Sequence, residues 1–357
     1  MKMTRTLSAW MLVAVLLLAL VGCGGGNTAS TPASTPDSAP ASTPDGSDPV
    51  SEPTSGGETT MTDEEFLASV GGQKPDSAQG VFLYKTVRGT QLYFHLQQPS
   101  AQKYEEAPLL VNFVGGGWTK FDIEGYNNAV SYMSIRYNTL LNEGFANLTV
   151  TYRGWENGGT NLSMLLADLT DALAYIARYN DTFHIDMNKI ILLGQSAGGH
   201  VGLMLLLAPE ELWTADCVYP AFEHNYLGCF AINAPTMMYP DEQTGELLWF
   251  SDPGIKHNLF GDADYRQDDS EYRKYSPITY VSADMKPVFL GVGEADTVVN
   301  PEQSYRFQAA AEAVGGNSTM LVMKNAGHGL EQVGDGRLDP SYEVFYKAAY
   351  DFIHSLL

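Results

Sequence analysis

The chain has 357 residues, of which 44% are hydrophobic and 17% are charged, so it is long and apolar enough to bury a sizeable core. It holds 20 Lys and Arg residues against 42 Asp and Glu residues, a formal net charge of −22. This acidity argues against nucleic acid and anionic membrane surfaces as partners, because binding to phosphate requires an excess of basic residues. Three cysteines are too few for a disulfide scaffold, and the histidines show no spacing typical of a metal site.

Residues 1–22 have the pattern of a secretory signal. Two basic residues precede an apolar run from Leu12 to Val21, which is too short to cross a membrane as a helix. The run ends in Leu-Val-Gly followed by Cys23, a tetrapeptide that resembles a bacterial lipobox. The resemblance implies cleavage before Cys23, diacylglycerol on its sulfur and acylation of the new amino terminus. An uncleaved anchor and an ordinary signal remain as alternatives.

Residues 23–60 differ in composition from the rest of the chain. After Cys23 they are mostly Gly, Ser, Thr, Pro and Ala, with no aromatic residue. Such a segment cannot bury enough apolar surface to offset the entropy lost on ordering, so we expect a disordered tether. Lipidation at Cys23 would hold the protein at the membrane. The sequence therefore predicts an extracytoplasmic protein that is lipid-anchored at the cell envelope.

From residue 61 onward, short β-branched and aromatic runs alternate with helical stretches. This alternation predicts one α/β domain over residues 61–357, with a mostly parallel eight-stranded sheet flanked by helices. The predicted strands cover 80–84, 91–96, 109–114, 146–152, 189–193, 227–231, 287–292 and 319–323. The predicted helices cover 127–143, 162–180, 197–207, 301–314 and 341–357. No internal repeat indicates a solenoid or a propeller.

A Gly-x-Ser-x-Gly sequence surrounds Ser196, between the strand at 189–193 and the helix at 197–207. In this context the sequence is typical of a nucleophile elbow, a sharp turn that strains the serine backbone and exposes its hydroxyl. Gly194 and Gly198 have no side chains, which would allow the strand and the helix to approach each other closely. The elbow would also aim the N–H of Ala197 at an oxygen that develops charge beside the serine. The alternative is a glycine-rich turn with Ser196 as a helix cap.

Two further candidate residues follow the last two predicted strands. Asp296 comes after the strand at 287–292, and His328 comes after the strand at 319–323. Together with the serine they give the chain order Ser, Asp, His, which is typical of α/β-hydrolases and differs from the two protease orders. Glu294 remains an alternative to Asp296 as the acid.

The third predicted strand runs directly into three glycines and a tryptophan. This sequence resembles the HGGG oxyanion loop, in which backbone N–H groups surround a substrate oxygen. By analogy, the N–H groups of Gly115 and Gly116 would join that of Ala197, with Gly117 left open as a donor. The first position of the motif is histidine in that loop and Val114 here, which leaves the internal bracing of the loop in doubt.

Residues from about 80 to 357 resemble bacterial α/β-hydrolase esterases of the BD-FAE-like and hormone-sensitive-lipase-like group, which includes acetyl esterases and carbohydrate acyl esterases. The resemblance rests on Gly-Gly-Gly-Trp, Gly-x-Ser-Ala-Gly-Gly-His, the acid loop ending in Val-Val-Asn-Pro, and Ala-Gly-His-Gly. It implies a serine carboxylester hydrolase with a Ser196–His328–Asp296 triad and an acyl-enzyme, and no metal or organic cofactor. Tyr152-Arg153 and Asp168 also match the group, and we expect them to be structural.

Charge and location favour short-chain acyl esters of neutral carbohydrates as substrates, because an acidic domain repels anions. Two other functions stay open: a serine exopeptidase of the prolyl oligopeptidase-like type, and a non-catalytic surface module on the same scaffold.

Several side chains outside the triad also have expected roles. His200 is expected to pack rather than react. A Cys217–Cys229 disulfide is possible in an oxidising compartment. Four aromatic residues are either cleft residues or ordinary core: Trp118, Trp249, Phe250 and Phe260.

Overall fold

The computed structural model describes residues 61–120, 137–155, 161–245, 247–249, 253–261 and 263–357. Several predictions therefore lie outside the described residues: the signal segment, Cys23, the tether and Phe250. The predicted helix at 127–143 is described only over its last part. The described residues all belong to one compact unit, Thr59–Leu357.

An eight-stranded sheet forms the centre of this unit. The strands are β1 (Gly80–Val87), β2 (Thr90–Gln97), β3 (Ala107–Phe113), β4 (Ala146–Val150), β5 (Ile185–Gln195), β6 (Tyr226–Ile232), β7 (Val288–Gly293) and β8 (Ser318–Met323). Their spatial order is β1-β2-β4-β3-β5-β6-β7-β8. β1 pairs antiparallel with β2 and β2 with β4, whereas every later pair is parallel. All eight predicted strands are confirmed, with bounds that move by up to four residues.

Helices cover both faces of the sheet. In the described part of the chain they are α1 (Asp63–Val70), α2 (Tyr137–Asn142), α3 (Leu162–Arg178), α4 (Asn180–Phe183), α5 (Ala197–Leu207), α6 (Pro253–Phe260), α7 (Ser270–Lys274), α8 (Glu302–Val314) and α9 (Tyr342–Ser355). The helix predicted at 197–207 has those bounds. The helices predicted at 162–180, 301–314 and 341–357 are each shorter by one to three residues.

The burial of the central strands explains why the strands could be predicted from apolar runs in the sequence. Every residue of β3 and of β4 is buried, because helices cover both faces of the central strands. Two clusters of buried apolar residues form the core, a larger one that includes Leu109 and Leu165 and a smaller one that includes Leu110 and Phe345. Alternate residues of β3 therefore contribute to different clusters, as the two faces of a strand require.

Cys217 and Cys229 are both free, so the structure forms no bridge between them. Burial raises the pKa of Cys217 to about 12, which keeps its thiol protonated at neutral pH. Within the described ranges, no helix is long and apolar enough to cross a bilayer. No group of three His, Cys, Asp or Glu side chains there is placed to hold a metal ion.

Candidate active site

Ser196 lies at the junction between β5 and α5, in a backbone conformation that L-residues rarely adopt. Its φ is 54° and its ψ is −128°. A Cβ on Gly194 would lie 2.2 Å from the carbonyl oxygen of Gly198, and a Cβ on Gly198 would lie 2.0 Å from the carbonyl oxygen of Phe113. Both glycines are therefore required by close backbone approach, the first within the turn and the second between α5 and β3. The turn has the geometry of the predicted nucleophile elbow.

Asp296 follows β7 and points its carboxylate at His328. The distance between Asp296 Oδ2 and His328 Nδ1 is 2.7 Å. Oδ1 accepts hydrogen bonds from the backbone N–H groups of Val298 at 2.7 Å and Val299 at 3.0 Å. The carboxylate is thus fully buried and held in one orientation. Glu294, the alternative acid, is exposed on the same loop.

The backbone of His328 is held by two side chains that the sequence analysis did not single out. Gln195 Nε2 and Asn233 Nδ2 each donate to the carbonyl oxygen of His328 at 2.7 Å. Asn233 also accepts from the N–H of Gly293 through Oδ1, at 2.8 Å. Gln195 is the neighbour of Ser196, so this bond ties the histidine loop directly to the elbow. A polar residue immediately after the buried strand β6 was the signal that could have indicated Asn233.

The loops after β7 and β8 approach each other closely. A Cβ on Gly293 would lie 2.4 Å from the carbonyl oxygen of Gly327. Ala295 donates from its backbone N–H to the carbonyl oxygen of Ala326 at 2.8 Å. Because neighbouring parallel strands end at the same edge of the sheet, these contacts bring the acid loop and the histidine loop together beside the elbow.

The glycine loop after β3 lies against the same turn. A Cβ on Gly115 would lie 3.1 Å from Ser196 Cβ, whereas a Cβ on Gly117 would meet Ile255. The N–H groups of Gly115, Gly116 and Ala197 donate to no other described residue. Donors that face a cleft without an internal partner are what an oxyanion hole requires.

The Ser196 hydroxyl, in turn, forms no hydrogen bond with any residue that the structure describes. In catalytic sites without substrate, the hydrogen bond between nucleophile and base is often long or poorly aligned, and it shortens in the reacting complex. The arrangement can supply a nucleophile, a base with its orienting acid, and backbone donors for an oxyanion.

A family model for BD-FAE matches residues 94–310, which is more than half of the chain. The chain belongs to the BD-FAE family. This result confirms the BD-FAE-like part of the resemblance that its motifs indicate. The matched range includes the glycine loop, the elbow and Asp296, and it ends before His328.

Curated proteins similar to this BD-FAE family member include two esterases. Isoprenylcysteine alpha-carbonyl methylesterase ICME of Arabidopsis thaliana is 23% identical over 236 residues, which cover 62% of this chain and 50% of that protein. Esterase LipQ of Mycobacterium tuberculosis is 22% identical over 236 residues, which cover 66% of this chain and 53% of that protein. The chain thus spans about half the length of the curated relatives that it matches.

Solved structures of Thermogutta terrifontis esterase 2 share the fold. The native form gives a TM-score of 0.59 at 20% identity, and the alignment covers 81% of this chain and 97% of that one. The propionate-bound form also gives a TM-score of 0.59, over 79% of this chain and 96% of that one. These neighbours confirm the predicted α/β-hydrolase fold.

The aromatic residues near the site are mostly core residues in this BD-FAE family member. Trp118 and Trp249 are buried, and their rings meet edge to face at 5.8 Å between centroids. Phe260 is half-buried and stacks on Tyr272 at 4.1 Å. For these three, core packing is the correct one of the two interpretations. His200 is fully buried, in line with its expected packing role.

Proposed function

We propose that the chain is a serine carboxylester hydrolase in which Ser196, His328 and Asp296 form the catalytic triad. The observation that best supports this is the 2.7 Å hydrogen bond between His328 and the buried Asp296, on loops tied to the elbow that carries a strained serine. The names of the relatives in Arabidopsis and Mycobacterium support the same reaction class.

In the proposed reaction, His328 accepts the proton of Ser196 as the hydroxyl attacks an ester carbonyl. Asp296 holds the imidazole by Nδ1, so Nε2 is the nitrogen that would accept the serine proton, and the charge of Asp296 stabilises the imidazolium. His328 then donates the proton to the leaving alcohol. Water attacks the acyl-enzyme in the same way, which returns the serine and releases the acid.

The oxyanion of the tetrahedral intermediate would be bound by the N–H groups of Gly115, Gly116 and Ala197. Ala197 is the first residue of α5, so its N–H also lies at the positive end of the helix dipole. Preorganised donors of this kind each contribute on the order of 10²–10³ to kcat.

Ser196→Ala tests the proposed nucleophile. The variant should fold normally, lose covalent labelling by a fluorophosphonate probe, and hydrolyse p-nitrophenyl acetate with kcat lowered by on the order of 10⁴ to 10⁶. Ser304→Ala is the control, because Ser304 is a buried serine on α8, outside the site. Residual activity within about tenfold of the wild type would contradict the triad. An unlabelled and inactive wild type would instead support a non-catalytic module.

We further propose neutral carbohydrates with short acyl groups as the substrate class. The first 60 residues hold five of the 42 acids and two of the 20 bases, which leaves 37 acids against 18 bases from residue 61 onward, a net charge of −19. This field disfavours anionic substrates. Thermogutta terrifontis esterase 2, a neighbour in fold, has been solved with propionate and with butyrate bound, which supports a short acyl group.

Acyl specificity can be measured on p-nitrophenyl esters from acetate to decanoate. We expect kcat/KM to fall steeply beyond about four to six acyl carbons, because a short cleft cannot accommodate a long acyl tail. The further methylenes then gain none of the roughly 0.8 kcal/mol each that burial would contribute. Acetylated and feruloylated oligosaccharides should be deacylated in a parallel assay. Decanoate turned over as efficiently as acetate would point to a lipase-like enzyme.

The proposed location is the extracytoplasmic face of a membrane, with the anchor at Cys23. Metabolic labelling with a clickable fatty acid should mark the full-length chain, and Cys23→Ala should abolish the label and release the protein from the membrane fraction. Cys217→Ala is the control, since Cys217 is half-buried within the folded unit. Labelling that survives in Cys23→Ala would exclude this anchor.

A further inference from the structure

The backbone of the glycine loop adopts a strained conformation that only contacts with the rest of the protein can maintain. Gly116, Gly117 and Trp118 all have positive φ, at 117°, 63° and 59°. Two of these are glycines, but a tryptophan in this region is strained by an amount on the order of 1–3 kcal/mol. Such strain persists only where surrounding contacts over-determine the backbone. The contacts of Trp118 therefore decide where the loop lies.

The Trp118 side chain is almost fully buried and donates to the nucleophile helix. Its Nε1 lies 3.1 Å from His200 Nδ1, and the two rings meet edge to face at 5.3 Å between centroids. His200 lies one turn after Ser196 on α5, and its backbone N–H donates to the Ser196 carbonyl at 3.0 Å. The side chain of Trp118 thus connects the glycine loop to the helical turn that carries the nucleophile.

The partners of His200 permit only one tautomer. The indole N–H of Trp118 can only donate, so Nδ1 must accept. On the other side, Nε2 lies 2.8 Å from the carbonyl oxygen of Tyr275, which can only accept, so Nε2 must carry the proton. His200 is therefore a neutral bridge between the glycine loop and the segment after α7. It has no free nitrogen for chemistry.

A second tryptophan holds the loop from the other side. Trp155 Nε1 donates to the carbonyl oxygen of Gly117 at 2.8 Å, and its backbone N–H donates to that of Trp118 at 3.2 Å. Thr119 closes the turn on the carbonyl oxygen of Gly116 through both its N–H and its hydroxyl. The carbonyl groups of Gly116, Gly117 and Trp118 thus accept hydrogen bonds, while the N–H groups of Gly115 and Gly116 donate to none of the residues that the structure describes.

We infer that Trp118 and His200 form a buried clasp that positions the glycine loop for oxyanion binding, with both residues acting as positioning residues. The inference rests on the proposed hydrolase function. Because His200 and Ala197 belong to the same first turns of α5, the clasp fixes the distance between the Gly115–Gly116 donors and the Ala197 donor. It supplies the bracing that Val114, which stands in the first position of the motif, cannot.

Trp118→Phe tests the clasp while keeping an aromatic ring in the core. We expect kcat on p-nitrophenyl acetate to fall by about 10- to 100-fold with KM changed by less than about threefold, since the donors are displaced rather than deleted. A trifluoromethyl ketone forms a tetrahedral hemiketal with the serine, and this adduct carries an oxyanion. The inhibition constant of the ketone should rise by the same factor by which kcat falls. A loss of packing alone would change neither quantity well below the melting temperature.

Trp213→Phe is the matched control. Trp213 is as buried as Trp118, and its Nε1 donates a single hydrogen bond to Thr170 Oγ1 at 2.9 Å. The control should lose comparable stability and keep kcat. If kcat and the ketone inhibition constant of Trp118→Phe lie within about twofold of those of Trp213→Phe, the clasp is overturned.

His200 provides a second, independent pair of variants. His200→Gln retains an acceptor and a donor, so its kcat should stay within about fivefold of the wild-type value. His200→Leu retains neither, so its kcat should fall to that of Trp118→Phe. The double variant Trp118→Phe/His200→Leu should lose no more activity than either single variant, because both remove one shared interaction. Additive losses in this cycle would contradict the clasp.

Hydrogen exchange separates failure of the clasp from failure of the proposed function. The N–H groups of Thr119 and Trp155 donate to loop carbonyls, so their exchange reports the position of the loop without any substrate. Both should exchange at least about tenfold faster in Trp118→Phe and at the wild-type rate in Trp213→Phe. Unchanged exchange would overturn the clasp even in an active enzyme, and faster exchange would support it even if no ester were hydrolysed.

Discussion

The buried side chain of His200 makes the free energy of unfolding of the protein depend on pH. Burial lowers the pKa of His200 from 6.5 to about 4 in the folded protein, although the hydrogen bond to the Tyr275 carbonyl works in the opposite direction. Below pH 6.5 the unfolded chain therefore binds a proton that the folded protein does not. The stability contributed by neutral His200 is complete above pH 6.5 and is lost as the pH falls towards 4.

We expect the free energy of unfolding of the wild type to fall by about 3 kcal/mol more than that of His200→Gln between pH 6.5 and pH 4. Below pH 4 the two profiles should run parallel, because both states of the wild type are then protonated at this position. Urea denaturation at each pH measures both curves. Parallel profiles across the whole range would mean that His200 is not buried in its neutral form.

Residues of the site differ in how visible they are in the sequence. Ser196, Asp296 and His328 follow strand ends within short motifs, so local sequence was sufficient to single them out as candidates. Gln195 and Asn233 carry no motif. Their shared target, the carbonyl oxygen of His328, lies more than 90 positions away along the chain, and only the order of strands β5, β6, β7 and β8 brings it within reach.

At the scale of elements, the strands were more predictable than the short helices. The strands are apolar because both faces of the sheet are covered, whereas α1, α6 and α7 have only five to eight residues and weak apolar periodicity. α1 is defined by its caps instead, a reciprocal capping box between Thr62 and Glu65 and a left-handed Gly71. The segment after β6 is held by buried Gln303, which bonds the backbone of Thr236 and Met237, a contact without any local signal.

The contact between α5 and β3 depends on one missing methyl group. Gly198→Ala would place a Cβ 2.0 Å from the backbone carbonyl oxygen of Phe113, and a backbone atom cannot move aside as a side chain can. We expect this variant to lose about 3 kcal/mol of unfolding free energy, together with fluorophosphonate labelling. Both can be measured on the purified protein.

Gly202→Ala on the same helix is the control for this prediction. Its Cβ would meet the Cys229 sulfur at 3.2 Å and the Phe113 ring at 3.4 Å, both of which are side chains that can adjust. Alanine also favours the helix over glycine by about 1 kcal/mol, so the net change should be small. Equal stability of the two variants would show that α5 does not need Gly198 in order to approach β3.

At the scale of the whole molecule, a buried ion network joins the first strand to the helix layer. Lys85 on β1 lies 2.6 Å from Asp168 and 2.5 Å from Asp171, both on α3, and all three side chains are inaccessible to solvent. Arg153, after β4, contacts Asp168 through its guanidinium and its backbone N–H. These contacts are structural, as expected for Arg153 and Asp168, and they fix the antiparallel edge of the sheet to α3.

Lys85→Met should destabilise the protein by about 3–5 kcal/mol, because it leaves two buried carboxylates with one positive partner. Lys347→Met is the matched control, since Lys347 forms an exposed pair with Asp351 one helical turn away on α9. That control should leave the denaturation midpoint almost unchanged. A similar midpoint for the two variants would indicate that the charges of the network are not buried together.

The order of the strands also governs when the molecule could first become active. Gln195 and the histidine backbone that it holds are separated by 133 positions, and the acid loop lies between them along the chain. During synthesis, the elbow and the glycine loop therefore emerge before the proposed base, which follows β8. The proposed triad stays incomplete until β8 has joined the edge of the sheet. Latency of the nascent chain would then follow from topology alone.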